Sequence, residues 1–155
     1  DDVVTSRKIM IATDGSESAL RAVDHVSFMF SGASDVKITL LHVVPRLKDF
    51  CKIDIRETDR ELEEFFSKGD KRCVENFLLH ARKKFTDAGI REDQVEIREA
   101  RVISNVGGTI AEEAEKGDYG TVVVGSRGID KAFFMGSVSS YVISKVSDRA
   151  VWLVP

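Results

Sequence analysis

Thr121-Val122-Val123-Val124-Gly125-Ser126-Arg127-Gly128 is the most apolar stretch of the chain, and it runs straight into a glycine-bounded turn. A short apolar run closed by turn residues reads as a strand buried on both faces. Gly136-Ser137 follows, and Val138, Tyr141, Val142 and Val146 then recur at helical spacing. Ala150-Val151-Trp152-Leu153-Val154 closes the chain as another strand. Strand, glycine turn, helix and strand make one crossover unit, and such units are right-handed and join parallel strands.

The same unit recurs upstream. Arg7–Thr13 is a buried strand broken by Asp14-Gly15-Ser16, after which Ala19, Ala22/Val23, Val26 and Met29/Phe30 mark one helix face. Asp14 or Ser16 supplies the N-cap, and Gly32-Ala33-Ser34 ends the helix. Val36–Val44 is the second strand, closed by Pro45. Residues 46–72 hold 8 basic and 8 acidic side chains in 27 positions, a solvated connection and helix start rather than a basic arm. Leu62, Phe65/Phe66, Cys73, Phe77, Ala81, Phe85 and Ala88 keep a helical phase, which Gly69-Asp70 kinks or divides and Ala88-Gly89 stops. Val95–Ile103 alternates as a strand with one wetter face, and Ile110, Ala111 and Ala114 mark a short helix ending at Lys116-Gly117. The order is βαβαβαβαβ. Residues 1–155 therefore read as one α/β domain, a three-layer, Rossmann-like sandwich whose parallel sheet carries helices on both faces.

Composition narrows the function. Hydrophobic residues at 43% and charged residues at 32% suit an ordinary globular core. No apolar run approaches the roughly 18 residues of a membrane span, and the start does not read as a signal peptide. A net charge of −3 argues against a nucleic-acid footprint. Cys51 and Cys73 make no disulfide framework and read as two thiols in a reducing cytoplasm.

Ligands of open α/β sheets lie at the carboxyl ends of the strands, beside the switch point. The places to search are thus Thr13–Ser16, Val43–Pro45, Ser104–Gly108 and Gly125–Ser137. Gly125-Ser126-Arg127-Gly128 with Gly136-Ser137 offers glycines for close backbone approach and a helix N-terminus that favours an anion. Arg127 can add a charge-assisted contact, and Ser137 can cap the helix and donate to a phosphate oxygen. Plain turn chemistry accounts for the same residues. Asp14 can accept from a ribose hydroxyl or an adenine amine, or simply cap the first helix. His42 reads as a packed strand residue, and His25 and His80 have no partner at metal-ligand spacing. G-x-x-x-x-G-K-[ST], G-x-G-x-x-G and G-x-S-x-G are all absent, which excludes a P-loop, a dinucleotide fingerprint and a hydrolase elbow.

Lys8-Ile9-Met10-Ile11-Ala12-Thr13-Asp14-Gly15-Ser16, Leu40-Leu41-His42-Val43, Val122–Gly128 and Gly136-Ser137-Val138-Ser139 together closely resemble the universal stress protein family. The match is collinear over nearly the whole chain. The resemblance implies five parallel strands in order 3-2-1-4-5 and a homodimer that pairs the C-terminal strands. It further implies an adenine nucleotide (ATP, or AMP or ADP, with Mg²⁺) and a role in the stress response, with slow ATP hydrolysis at most. Carried over, Ala12, Thr13 and Asp14 meet the adenosine and Val43 meets adenine through its backbone. Gly125, Ser126, Arg127 and Gly128 cradle phosphates, and Gly136, Ser137 and Val138 complete the phosphate and ribose contacts. No catalytic residue is implied; Asp130 is the only nearby candidate base. One departure stands out: seven residues separate Gly128 from Gly136, where the family pattern has nine. The missing pair removes up to about 7 Å of reach.

Overall fold

The computed structural model describes residues 3–13, 17–44, 75–102, 104–125 and 137–155. Five strands follow the chain: β1 Lys8–Thr13, β2 Lys37–Val44, β3 Val95–Arg101, β4 Thr121–Gly125 and β5 Ala150–Val154. Helices α1 Glu17–Met29, α2 over residues 75–87, α3 Val106–Lys116 and α4 Ser137–Lys145 alternate with them. Every pairing is parallel, as the alternation of strands and helices predicts, and the order is β3-β2-β1-β4-β5, as the family resemblance implies.

Each strand splits its side chains between two cores because successive residues point to opposite faces. Ile9 and Ile11 of β1, Ile38 and Leu40 of β2 and Val123 of β4 pack under α1 and α2, against Ala19, Val23, Val26, Phe77, Ala81 and Phe85. Met10, Ala12, Leu41, Val43, Val122 and Val124 fill the opposite layer with Ile110 and Ala114 of α3 and Val142 of α4. A strand with apolar residues on both faces reads as a continuous run, and for that reason β1 and β4 were the plainest elements in the sequence.

Helix ends follow their glycines. Gly89 takes a φ of +83°, and the chain closes back with Ile90 N–H donating to Phe85 C=O at 2.9 Å. That is a left-handed C-terminal stop, open to glycine at little cost. Gly32, at φ +73°, lies three residues past α1, and its N–H donates to Ala88 C=O at 3.0 Å, tying the two helix ends together. Asn105 caps α3, its Oδ1 accepting from Gly108 N–H at 2.6 Å.

Three readings need correction. Of Met29 and Phe30, only Phe30 packs inward, stacked on Trp152 at 5.8 Å between ring centroids, while Met29 is 51% exposed. Phe30 N–H still donates to Val26 C=O at 3.0 Å, so residue 30 keeps the phase of Ala19, Val23 and Val26 and turns inward with them, while Met29 falls on the outer side. The third strand stops at Arg101, short of Ile103, and β4 runs one residue further, through Gly125. Leu62, Phe65/Phe66, Gly69-Asp70 and Cys73 lie outside the described residues.

At the amino edge of the sheet, Tyr119 is 1% exposed, and its hydroxyl donates to Thr39 Oγ1 at 3.0 Å. Lys8 Nζ sits 4.7 Å from the Tyr119 ring centroid and donates to Gly117 C=O at 2.5 Å. Arg149 donates to the carbonyls of Ala114 and Tyr119. The Arg98 guanidinium is pushed further up, first by hydrogen bonding with Tyr119 and then by the Glu113 carboxylate. These polar groups are consumed in holding α3 and β4 together, and they leave the opposite, carboxyl edge as the place for a ligand.

Candidate functional site

The carboxyl edge is shaped by where the strand ladders stop. β1 pairs with β2 as far as Thr13↔His42, and β4 pairs with β5 as far as Gly125↔Val154. Between β1 and β4 the ladder ends at Ile11↔Val123. Beyond that point β1 runs on to Thr13 along β2, and β4 runs on to Gly125 along β5. This break falls at the switch point, where β1 leads by way of α1 to β2 on one side and β4 leads by way of α4 to β5 on the other. On the β2 side, Val43 pairs with Ala100 of β3 but lies beyond the last β1 partner.

Helix α4 is moored over this break by two contacts. Ser139 Oγ donates to Gly125 C=O at 3.1 Å, fixing the first turn of the helix to the end of β4. Laterally, α4 lies against α3 so closely that a Cβ at Gly107 would stand 2.8 Å from Tyr141 Cδ1 and 2.9 Å from Tyr141 Cβ. The helix N-terminus, the positive end of its dipole, is thereby held next to the carboxyl end of β4.

Among the expected site residues, Ala12 (8% exposed), Thr13 (3%) and Val43 (3%) are buried at the ends of β1 and β2, Ala12 and Val43 in the α3/α4 core and Thr13 on the alternate face. Gly125 ends β4, Ser137 opens α4 as its first helical residue, and Val138 packs half-buried on the α3/α4 core. These six are brought to the same edge. Asp14, Ser126, Arg127, Gly128 and Gly136 lie outside the described residues, as does Asp130. Among the described residues, no group of three or more His, Cys, Asp or Glu side chains could hold a metal, and no helix is long and apolar enough to cross a membrane.

Two residues at this edge were not singled out from the sequence. Ser139 was quoted only within a motif, yet it makes the strand-to-helix tie; its place at 2% exposure, two residues into a helix, is the signal that sequence alone lacks. Asn105 was passed over, although Asn three residues before Gly108 is the pattern of a capped helix.

Comparison with known proteins gives the chain its relatives. The family model for the Universal stress protein family matches residues 5–155. A hypothetical protein whose structure was solved to assign its biochemical function is similar, with 27% identity and a TM-score of 0.66 over 95% of this chain and 94% of that one. The universal stress protein from Archaeoglobus fulgidus in complex with dAMP shares 20% identity and a TM-score of 0.59 over 96% and 97% of the two chains. A universal stress protein family protein from Arabidopsis thaliana with AMP bound shares 21% identity and a TM-score of 0.59 over 95% and 90%. At such identities these last two show the common fold. No curated protein sequence matches the chain.

Proposed function

The chain belongs to the universal stress protein family, and from that premise we propose that it binds an adenine nucleotide at the break between β1 and β4 and acts as a ligand-controlled regulator in the stress response. The observation that carries this reading is the early end of the β1–β4 ladder at Ile11↔Val123, directly beside the moored start of α4. A break at the switch point, next to a helix N-terminus and followed in sequence by Gly125-Ser126-Arg127-Gly128, suits a nucleoside with a phosphate chain. Relatives of the same fold carry AMP and dAMP, which supports the same class of ligand.

In this reading Asp14, just past β1, accepts from the ribose hydroxyls or the adenine amine. Ala12 and Thr13 line the adenosine, and Val43 offers backbone groups to the base from the part of β2 beyond the β1 ladder. Gly125, Ser126, Arg127 and Gly128 wrap the phosphates, while Gly136, Ser137 and Val138 bring the helix N-terminus to them. Mg²⁺ arrives with ATP on its phosphates, since magnesium is commonly held by substrate phosphates with few protein ligands. The nucleotide serves as a ligand rather than as fuel, because fast hydrolysis needs a positioned base and a clamp on the γ-phosphate. The seven-residue spacer shortens the phosphate end, so AMP and ADP bind more tightly than ATP. That same spacer also favours a second reading, a nucleotide-free dimeric scaffold. Strand β5, at the open edge of the sheet with Trp152 half-buried and Leu153 39% exposed, pairs with its two-fold copy.

Mass spectrometry of small molecules released from the purified protein, followed by calorimetry with AMP, ADP and ATP, tests the proposal. Recovery or micromolar binding of an adenine nucleotide is expected. Absence of binding by all three at millimolar concentration with Mg²⁺ leaves the scaffold reading.

A further inference from the structure

Exposed apolar side chains flank the edge strand β5 in both helix layers. On one face α1 touches β4 and β5. Its flank towards the edge is marked by Arg21, whose Nε donates to Pro155 C=O at 2.9 Å, and by His25, whose ring meets Trp152 at 5.6 Å between centroids. Met29, one turn further on, continues this flank and is exposed. Asp24 pairs with Lys84 of α2 on the opposite flank. On the other face of the sheet, Tyr141 of α4 lies against Gly107 of α3. Ile143, about 200° further round the helix, therefore points away from α3 and past β5, and it is 44% exposed. Leu153 of β5 is exposed on that same face, which it shares with Val151. The other edge of the sheet is different: β3 presents exposed Glu96, Arg98, Glu99 and Arg101, a charged pattern that discourages pairing.

We propose that a second copy of the chain docks on this edge in three layers, with α1 against α1 and α4 against α4 on either side of the paired β5 strands. The inference rests on β5 pairing with its two-fold copy and adds the helix contacts to it. Strand pairing alone is too small, because β5 supplies five residues, whereas a stable interface takes about 20–30 a side. The spacing suits helix contact. α1 touches both β4 and β5, and Val142 of α4 clusters with Val122, Val124 and Val151 of the same two strands. Across the axis, two copies of either helix thus stand about two strand spacings apart, about 10 Å, an ordinary helix-packing distance. Antiparallel pairing of all five residues centres the two-fold axis on Trp152. Ser139 is tied to Gly125, the register partner of Val154. From that level, Ile143 lies about 6 Å along the helix and Trp152 about 6.6 Å along the strand, so Ile143 meets its own copy at the axis. In the other layer His25 is level with Trp152, which sets Met29 of one copy against Arg21 of the other.

The test is sedimentation of the full chain at tens of micromolar, native and as I143E, M29K and L79E, the last on the exposed outer face of α2. The native chain and L79E are expected to be dimers. I143E sets two carboxylates face to face, and M29K sets a cation against Arg21, so each should raise the dimer dissociation constant by about tenfold or more. Cross-linking gives a second readout that a folding defect in a charged variant does not remove: oxidation should join I143C chains in far greater yield than L79C chains. Native dimers that I143E and M29K leave as intact as L79E does overturn the proposal and leave β5 pairing standing. Equal cross-linking of I143C and L79C overturns it as well. If the native chain is a monomer, the proposal and β5 pairing fall together.

Discussion

Replacing Gly107 by Ala tests the mooring of α4. The added Cβ would lie 2.8 Å from Tyr141 Cδ1 and 2.9 Å from Tyr141 Cβ, both well inside ordinary contact. Rotating the Tyr141 ring away relieves the first clash but not the second, because the Cβ is fixed to the backbone of α4. The helix itself must move. Alanine gains about 1 kcal/mol over glycine inside a helix, whereas overpacking a close contact costs about 1–3 kcal/mol. With a backbone-rooted obstacle the cost falls in the upper half of that range, for a net loss of about 1–2 kcal/mol. Gly108 is an internal control on the same helix. The atoms nearest a Cβ there belong to the Asn105 side chain, the capping Oδ1 at 3.1 Å first, with no backbone-rooted obstacle among them. Gly108→Ala should therefore be neutral or mildly stabilising. Urea unfolding of both variants measures the difference, and because α4 carries the phosphate end of the proposed site, Gly107→Ala should also weaken AMP. If Gly107→Ala unfolds at the same urea concentration as Gly108→Ala, the α3–α4 contact is not the constraint described.

Asp14→Asn keeps a good helix cap, so stability should hold while nucleotide affinity falls by about 1.5–3 kcal/mol, the scale of a charge-assisted hydrogen bond; unchanged affinity in calorimetry would make Asp14 a cap only. Tyr119→Phe leaves the buried Thr39 hydroxyl without its donor, and urea unfolding should register a loss of about 1–3 kcal/mol with no change in ligand affinity. Sedimentation at tens of micromolar should find a dimer, and Trp152→Glu on β5 should yield monomer; a native monomer at that concentration removes β5 pairing from the account.

The fold was legible because its signals are local. A doubly covered strand such as Ile9-Met10-Ile11-Ala12 needs apolar residues on both faces, and Gly89 announces its left-handed stop by being the residue that tolerates one. Periodicity gave a parallel sheet with two helix layers, while the strand order came from the family resemblance. Period alone left Met29 and Phe30 undecided, since that choice turns on where Trp152 of β5 arrives. The site was legible only in part. Residue types mark Gly125 and Val43, but the break in the ladder between Thr13 and Gly125 and the Ser139 tie to Gly125 exist only once distant segments are side by side.

The central claim, an adenine nucleotide at the β1–β4 break, is tested most directly by following backbone amides of ¹⁵N-labelled protein during titration with AMP. The account predicts shifts at Thr13, Val43, Gly125 and Val138, all at the carboxyl edge, with Gln94, Val95 and Tyr119 at the opposite edge unmoved. Shifts centred on that opposite edge, or no shifts at millimolar AMP, would contradict it.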